Sequence, residues 1–182
     1  MKPQTLTLML PLAVLIACSR GETPPSAGTA TAPMPATAQV TLAAASGSAV
    51  TGNLKLTASP GGVVMVGEIQ GLTPGAHGFH LHEFGDCSAP DLKSAGEHLN
   101  PDKTEHGGGP TSTSRHLGDI SNLMADAAGH AAVDSIIADS TLRDGGPKDL
   151  FGKAVIVHAM PDDYQSQPAG NSGARIACGV VK

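Results

Sequence analysis

The sequence predicts an all-β fold, an antiparallel sandwich or barrel of about seven or eight strands. Three observations predict it. Short runs of alternating or β-branched residues recur with turn signals between them; no stretch keeps a helical period; and the 182 residues include 23 Gly and 14 Pro, turn formers that a helical bundle does not use in such number.

The runs come in this order. Ala38–Ala43 (AQVTLA) and Ala49–Ala58 (AVTGNLKLTA) are split by the turn residues Ser46, Gly47 and Ser48. Gly61–Leu72 (GGVVMVGEIQGL) is rich in β-branched residues and is bounded by Ser59-Pro60-Gly61-Gly62 and Thr73-Pro74-Gly75, both turn signals. Ala76–Phe84 (AHGFHLHEF) comes next, then His130–Asp139, Lys153–Met160 and Ala174–Lys182. Two stretches fit no strand, Gly85–Asp119 and about Pro161–Gly173. Long irregular loops inside a compact domain are usually functional.

The N-terminus, MKPQTLTLMLPLAVLIACSR, carries one Lys and then an apolar run that ends at Ala17, before Cys18. The run is too short to span a bilayer and has the form of an export signal. Leu15-Ile16-Ala17-Cys18 resembles a bacterial lipoprotein cleavage box, which implies removal of residues 1–17 and acylation of Cys18; a plain signal peptide cut elsewhere is the alternative. Acyl chains anchor a protein at about 0.8 kcal/mol per buried CH₂. Residues 18–38 are dominated by Pro, Ala, Thr and Ser and have too little apolar surface to order themselves, so they form a tether. The folded domain is then 39–182. A formal net charge of −5 argues against nucleic acid as a partner.

The chemistry lies in the histidines. There are eight, at 77, 80, 82, 98, 106, 116, 130 and 158. His80 and His82 alternate with Phe79 and Leu81; on a strand they share a face, about 6.6 Å apart. His158 ends AVIVH on the face of Ala154 and Ile156. His98, His106 and His116 lie in the first long loop, and Asp119 follows His116 by three. Singly, each has an ordinary explanation: a strand histidine such as His158 is a hydrogen-bonded core residue, and a loop histidine such as His106 is solvated. His77 and His130 lack any spacing partner and keep that reading. Together, six histidines and one aspartate able to converge point to metal. Imidazole suits copper and zinc, and carboxylate completes a zinc shell. Two four-donor sites need eight positions, and seven side chains fill them only if one imidazole bridges through both nitrogens. Spacing does not choose which.

GFHLHEFGDC, SAGEHLNP, RHLGDI, AVIVHAMPDD and GNSGARIACGVV resemble the copper/zinc superoxide dismutases of the exported bacterial type, and the similarity runs over about 39–182 in order. The resemblance implies an eight-stranded, flattened Greek-key β-barrel, a sandwich-like fold with two long functional loops. It implies a copper held by His80, His82, His98 and His158, and a zinc held by His98, His106, His116 and Asp119, with His98 as the bridge. It implies a disulfide between Cys87 and Cys178, an anion-guiding Arg175, and an Asp162 that links a copper histidine to a zinc histidine, with Asp163 as an adjacent competitor. The activity implied is disproportionation of superoxide to O₂ and H₂O₂ by a copper that cycles between two oxidation states, with His98 gaining and losing a proton. The implied location is the periplasm or cell envelope, with Cys18 in the membrane and the protein a monomer or homodimer.

Three features depart from the family pattern. His106 and His116 are ten apart, one more than in the cytosolic relatives. Pro161–Ala174 is shorter than their charged loop, and Ala169 stands where many relatives have threonine. A metal-carrying binding protein on the same scaffold and a structural surface domain are the competing readings; the second leaves seven donors unexplained.

Overall fold

The computed structural model describes residues 35–108 and 114–182. The export signal, Cys18 and nearly all of the tether expected from sequence lie outside the described residues.

Nine strands are present among the described residues: β1 (Thr37–Ala44), β2 (Thr51–Ser59), β3 (Gly62–Gln70), β4 (Gly75–His77), β5 (Phe79–His82), β6 (Leu123–Ala125), β7 (Ala131–Ala138), β8 (Ala154–His158) and β9 (Arg175–Val180). The only helical element described is a 3₁₀ turn, Lys93–Ala95. Seven strands form one antiparallel sheet in the order β5-β8-β9-β1-β2-β3-β7, and β4 pairs with β6. Sequence neighbours are exchanged for distant partners: β3 pairs with β7 rather than β4, and β5 with β8. This is the non-sequential order of a Greek key. β1 is the corner. It pairs with β2 over Thr37–Leu42 and with β9 at Ala43 and Ala44, so the sheet curls about it.

The expected eight-stranded barrel is thus a curled sheet of seven strands plus a two-stranded ribbon. Ala76–Phe84, read as one run, is two strands because Gly78 leaves the ladder to exchange bonds with the far strand end: its N–H donates to Met160 and its carbonyl accepts from His158. β6, at three residues, is too short to show a period. β1 begins at Thr37, inside the stretch assigned to the tether, because Ala38 is already a core residue. A third connection, 139–153, has no composition that sets it apart; Asp149 organises it by accepting from the N–H groups of Arg143 (2.8 Å), Gly145 (2.7 Å) and Phe151 (2.9 Å).

The alternation read from the sequence decides which face is buried. In β2, Gly52, Leu54 and Leu56 point inward while Thr51, Asn53 and Lys55 face solvent. Ala38, Val40 and Leu42 do the same in β1, and Val63, Met65 and Ile69 in β3. Each fully buried Leu, Met or Phe of this core contributes about 1.5–3 kcal/mol. β5 and β8 differ, being buried on both faces. Phe79, Leu81, Val155 and Val157 belong to the main core. The opposite face bears His80, His82, Ala154, Ile156 and His158, and the first long loop covers it. Leu92 and Ala95 of that loop pack with Ala154, Ile156 and Cys178 in a second, small apolar cluster.

That loop is clipped to β9 by the Cys87–Cys178 disulfide, with Cα atoms 5.9 Å apart. The bond closes 91 residues, for which chain entropy gives about 4.6 kcal/mol. Replacing both cysteines by alanine is expected to lower the unfolding free energy by about 2–5 kcal/mol in denaturant titrations. A loss within experimental error would show that the loop is held without the clip.

Candidate metal centre

Two strands and two loops supply the site. β5 presents His80 and His82 on its outer face, and β8 presents His158 beside them; the ring centroids of His80 and His158 are 4.8 Å apart. The loop histidines are brought in by backbone pairing to β5. Leu81 donates its N–H to Gly118 at 2.9 Å and accepts from Leu99 at 2.8 Å, and Gly118 donates to Leu99 at 2.8 Å. The residues next to these three, His98 and Asp119, are thereby set against His82 and His80, with which they form isolated bridges. Gly118 is required there: a Cβ would collide with the Leu81 carbonyl.

The result is two groups of four. His80, His82, His98 and His158 each offer one ligand atom, all within 4.8 Å of one another, and so do His98, His106, His116 and Asp119. Every member is buried. His98 alone belongs to both groups. Its Nδ1 lies 2.8 Å from Asp119 Oδ1 and 3.5 Å from His116 Nδ1, which leaves Nε2 for the other group.

One nitrogen of each first-group strand histidine is tied to an orienting partner. His80 Nε2–H donates to Asp162 Oδ2 at 2.8 Å, His82 Nδ1–H to the Gly96 carbonyl at 3.0 Å, and His158 Nδ1–H lies 3.1 Å from Ser172 Oγ and 3.3 Å from the Gly173 carbonyl. The other nitrogen is free. Among the described residues five buried nitrogens have no hydrogen-bond partner: His80 Nδ1, His82 Nε2, His98 Nε2, His106 Nδ1 and His158 Nε2. Natural interiors seldom leave such atoms unpaired. Five on converging imidazoles fit the lone pairs of a metal shell.

Asp162 ties the groups together, accepting from His80 with Oδ2 and from His106 Nε2–H with Oδ1 at 2.9 Å. Its own main chain is held at both ends by Asn122, whose Nδ2 donates to the Asp162 carbonyl (2.9 Å) and whose Oδ1 accepts from the Asp162 N–H (2.8 Å). Gly170 packs on this junction, where a Cβ would overlap the Asp162 carboxylate. Asp163 does not compete. It is exposed and closes its own turn by accepting from Gln165, Ser166 and Asn171.

The two halves differ electrostatically. Burial, followed by the neighbouring rings and Arg175, pushes His82 and His158 well below the usual imidazole range. Burial likewise lowers His98, to about 4, against the pull of Asp119. Burial works to lower His106 too, but the carboxylates of Asp119 and Asp162 on either side of the ring override it and raise it to about 9. Both carboxylates are pushed up by burial, yet their histidine partners hold them far below the ordinary range.

Arg175, at the start of β9, is half-buried, with Nη1 donating to the Leu92 carbonyl at 2.9 Å. It lines a surface cleft with Asp91, Lys93 and Glu97. His77 is no ligand. It is a buried, hydrogen-bonded histidine, with Nδ1 donating to the His158 carbonyl (2.8 Å) and Nε2 beside Thr73. His130 is exposed and belongs to neither group. Asn122, Ser172 and the Gly96 and Gly173 carbonyls escape a reading of the sequence, because main-chain acceptors and loop amides leave no signature in residue type.

The family model described as "Copper/zinc superoxide dismutase (SODC)" matches residues 50–181. The Cu-Zn superoxide dismutase of Caulobacter vibrioides is 41% identical over 135 residues, covering 72% of this chain and 78% of its own. A Cu-Zn superoxide dismutase of Aquifex aeolicus is 43% identical over 139 residues, covering 72% and 79%. Among solved structures, a SOD-like protein from Bacillus subtilis aligns with a TM-score of 0.71 at 36% identity, over 79% of this chain and 97% of that one. The clock protein EA4 aligns at 0.72 and 36%, over 82% and 95%. The chain therefore belongs to the copper/zinc superoxide dismutase family, whose two metals fit the two donor groups.

Proposed function

We propose that the enzyme disproportionates superoxide at a copper held by His80 Nδ1, His82 Nε2, His98 Nε2 and His158 Nε2, beside a zinc held by His98, His106, His116 and Asp119. The observation that carries this reading is the set of unpartnered, buried imidazole nitrogens, four of them in the all-histidine group. Four imidazoles without a carboxylate suit a copper that must change oxidation state; three imidazoles and a carboxylate suit zinc. The chemistry supplied by bound copper is one-electron redox, by which two superoxide anions and two protons become one O₂ and one H₂O₂.

The chain's own residues prepare for it. His82, His98 and His158 are neutral at physiological pH because burial disfavours their cations, so they need lose no imidazolium proton to act as ligands. His98 Nε2 is the atom at which the bridging ring can hold a proton and release it. Asp162 fixes the Nε2–H tautomers of His80 and His106, as outer-shell carboxylates do. Arg175 keeps its charge in a half-buried position and has donors left after binding Leu92. A guanidinium there favours a small anion near a site whose protein is net negative.

We also propose that the chain is exported and anchored through Cys18. The apolar run before that cysteine supports this, as does the Cys87–Cys178 disulfide, which belongs to oxidising compartments. Cys18→Ala is expected to move the protein from the membrane to the soluble fraction; a variant that stays with the membrane refutes the anchor.

Chelation is expected to abolish activity, with copper restoring it and zinc alone failing to. Restoration by zinc alone would refute the redox assignment. Arg175→Ala is expected to slow the reaction and flatten its dependence on ionic strength. An unchanged rate and salt slope would remove the guiding role.

A pH test separates the halves. In the metal-free fold His106 is raised to about 9 from an ordinary value near 6.5, so its cation stabilises the fold fully below about 6.5 and the effect disappears as pH rises through about 9. Zinc must displace that proton. Zinc loading at pH 7.5 is therefore expected to release about one proton, measured by calorimetry in buffers of different ionisation enthalpy, with affinity rising toward pH 9. Loading without proton release would contradict the paired His106 cation.

A further inference from the structure

One side chain outside the ligand sets grips a ligand's main chain from both ends. Gln167 Oε1 accepts from the His106 N–H at 2.9 Å, and Gln167 Nε2 donates to the His106 carbonyl at 2.8 Å. The grip matters because Gly107 and Gly108 follow His106 directly, and glycine is the residue with the most backbone freedom to lose. Gly107 adds one long bond of its own, to Asp119 Oδ2 at 3.3 Å. No other hydrogen bond to the His106 peptide groups is found among the described residues.

Gln167 can serve as an anchor because its own turn is closed. Asp163 caps it through the N–H groups of Gln165 (2.9 Å) and Ser166 (2.8 Å), Gly170 donates to the Ser166 carbonyl (2.7 Å), and Ser172 Oγ donates to the Ala169 carbonyl (2.9 Å). That turn also carries Asp162, the partner of His106 Nε2. One short segment therefore holds His106 by its ring and by its backbone at once. Fixing both fixes the direction of Nδ1, which is buried, lacks a hydrogen-bond partner and lies 3.1 Å from Asp119 Oδ1.

We propose that Gln167 is a positioning residue for the zinc half: its amide clamps the His106 main chain and so presets Nδ1 toward Asp119 and His116. This rests on the assignment of His106 as a zinc ligand.

The test uses the copper- and zinc-loaded enzyme with its disulfide intact. Gln167→Met keeps the length of the side chain and removes both bonds; Gln167→Glu keeps the acceptor for the His106 N–H and removes the donor. Zinc and copper release are followed separately under chelator challenge, and the thermal midpoint is measured for the metal-free forms. Outer-shell partners change metal affinity about 10–100-fold. Zinc release is expected to speed up within that range in Gln167→Met and less in Gln167→Glu, while copper release changes far less and the metal-free midpoints stay close to wild type. Zinc and copper release rising together in step with a lowered metal-free midpoint would show a general loop tie and overturn the proposal, as would unchanged zinc release. His106→Ala is run in parallel: zinc retention in that variant would refute the zinc assignment itself, whereas zinc loss there beside unchanged release in Gln167→Met refutes only the clamp.

Discussion

A buried polar atom without a partner costs about 1–3 kcal/mol, and this protein carries five on imidazole rings within one small region. The rest of the structure answers to that cost. The rings are held by their second nitrogens, through Asp162, the Gly96 carbonyl and the Ser172–Gly173 pair, so that the first nitrogens face one another instead of escaping to solvent. Only His106 Nδ1 has an acceptor close by among the described residues, Asp119 Oδ1 at 3.1 Å. A site of this kind cannot hold itself together. It must be assembled by contacts made elsewhere, and the Leu81–Leu99–Gly118 backbone bonds and the disulfide make them.

The same burial has opposite consequences in the two halves, and the deciding variable is distance to a carboxylate. His82 and His158 are surrounded by other rings and Arg175, so every large influence except a carbonyl bond disfavours their cations. His106 is buried between two carboxylates and becomes the one strongly raised histidine. Desolvation and charge pairing act on all of these groups; which prevails is set by the partner. His98 and Asp162 then join the halves by different means. His98 is one ring with a nitrogen in each group, while Asp162 is one carboxylate with an oxygen on each side. A displacement of Asp162 would reach both groups at once, which is why two amides, Asn122 and Gln167, hold this carboxylate's backbone and the backbone of its histidine partner.

The part of this arrangement legible in the sequence is whatever repeats with period two. Alternation in β2 and β3 announces the core, and the same alternation puts His80 and His82 on one face and places His158 with Ala154 and Ile156. Fully buried β5 and β8 still obey it, because a loop covers their outer face rather than solvent. What periodicity cannot show is anything made by aperiodic chain. The identity of the bridging ring depends on where residue 98 lies relative to β5. Asn122 and Gln167 act through loop amides, Leu92 through a carbonyl that meets Arg175, and β6 is shorter than any period. The motif resemblance supplies His98 as the bridge and Asp162 as the link. In the structure His98 stands in both groups and Asp162 accepts from a histidine of each.

The chain has no Trp, one Tyr and three Phe, and this scarcity bears on where its stability resides. The main core is aliphatic and continuous on the inner face of the sheet. On the outer face of β5 and β8, where a second apolar layer would sit in an ordinary sandwich, there are imidazoles and a cluster of only five buried residues, one of them a disulfide cysteine. Apolar burial alone gives that layer little, since four of the five are Ala, Ala, Ile and Leu and the rings beside them are polar. The layer is instead secured by a covalent clip and, on the function proposed above, by imidazoles that gain their partners when metal binds, which makes metal affinity part of its folding free energy. The inner layer has no such dependence. The two faces of one sheet are therefore stabilised by different physics: the part of the first long loop around Leu92 and Ala95 leans on the disulfide in a way that β1, β2 and β3 do not, while Leu99 and Leu117 of the same loop reach through to the main core.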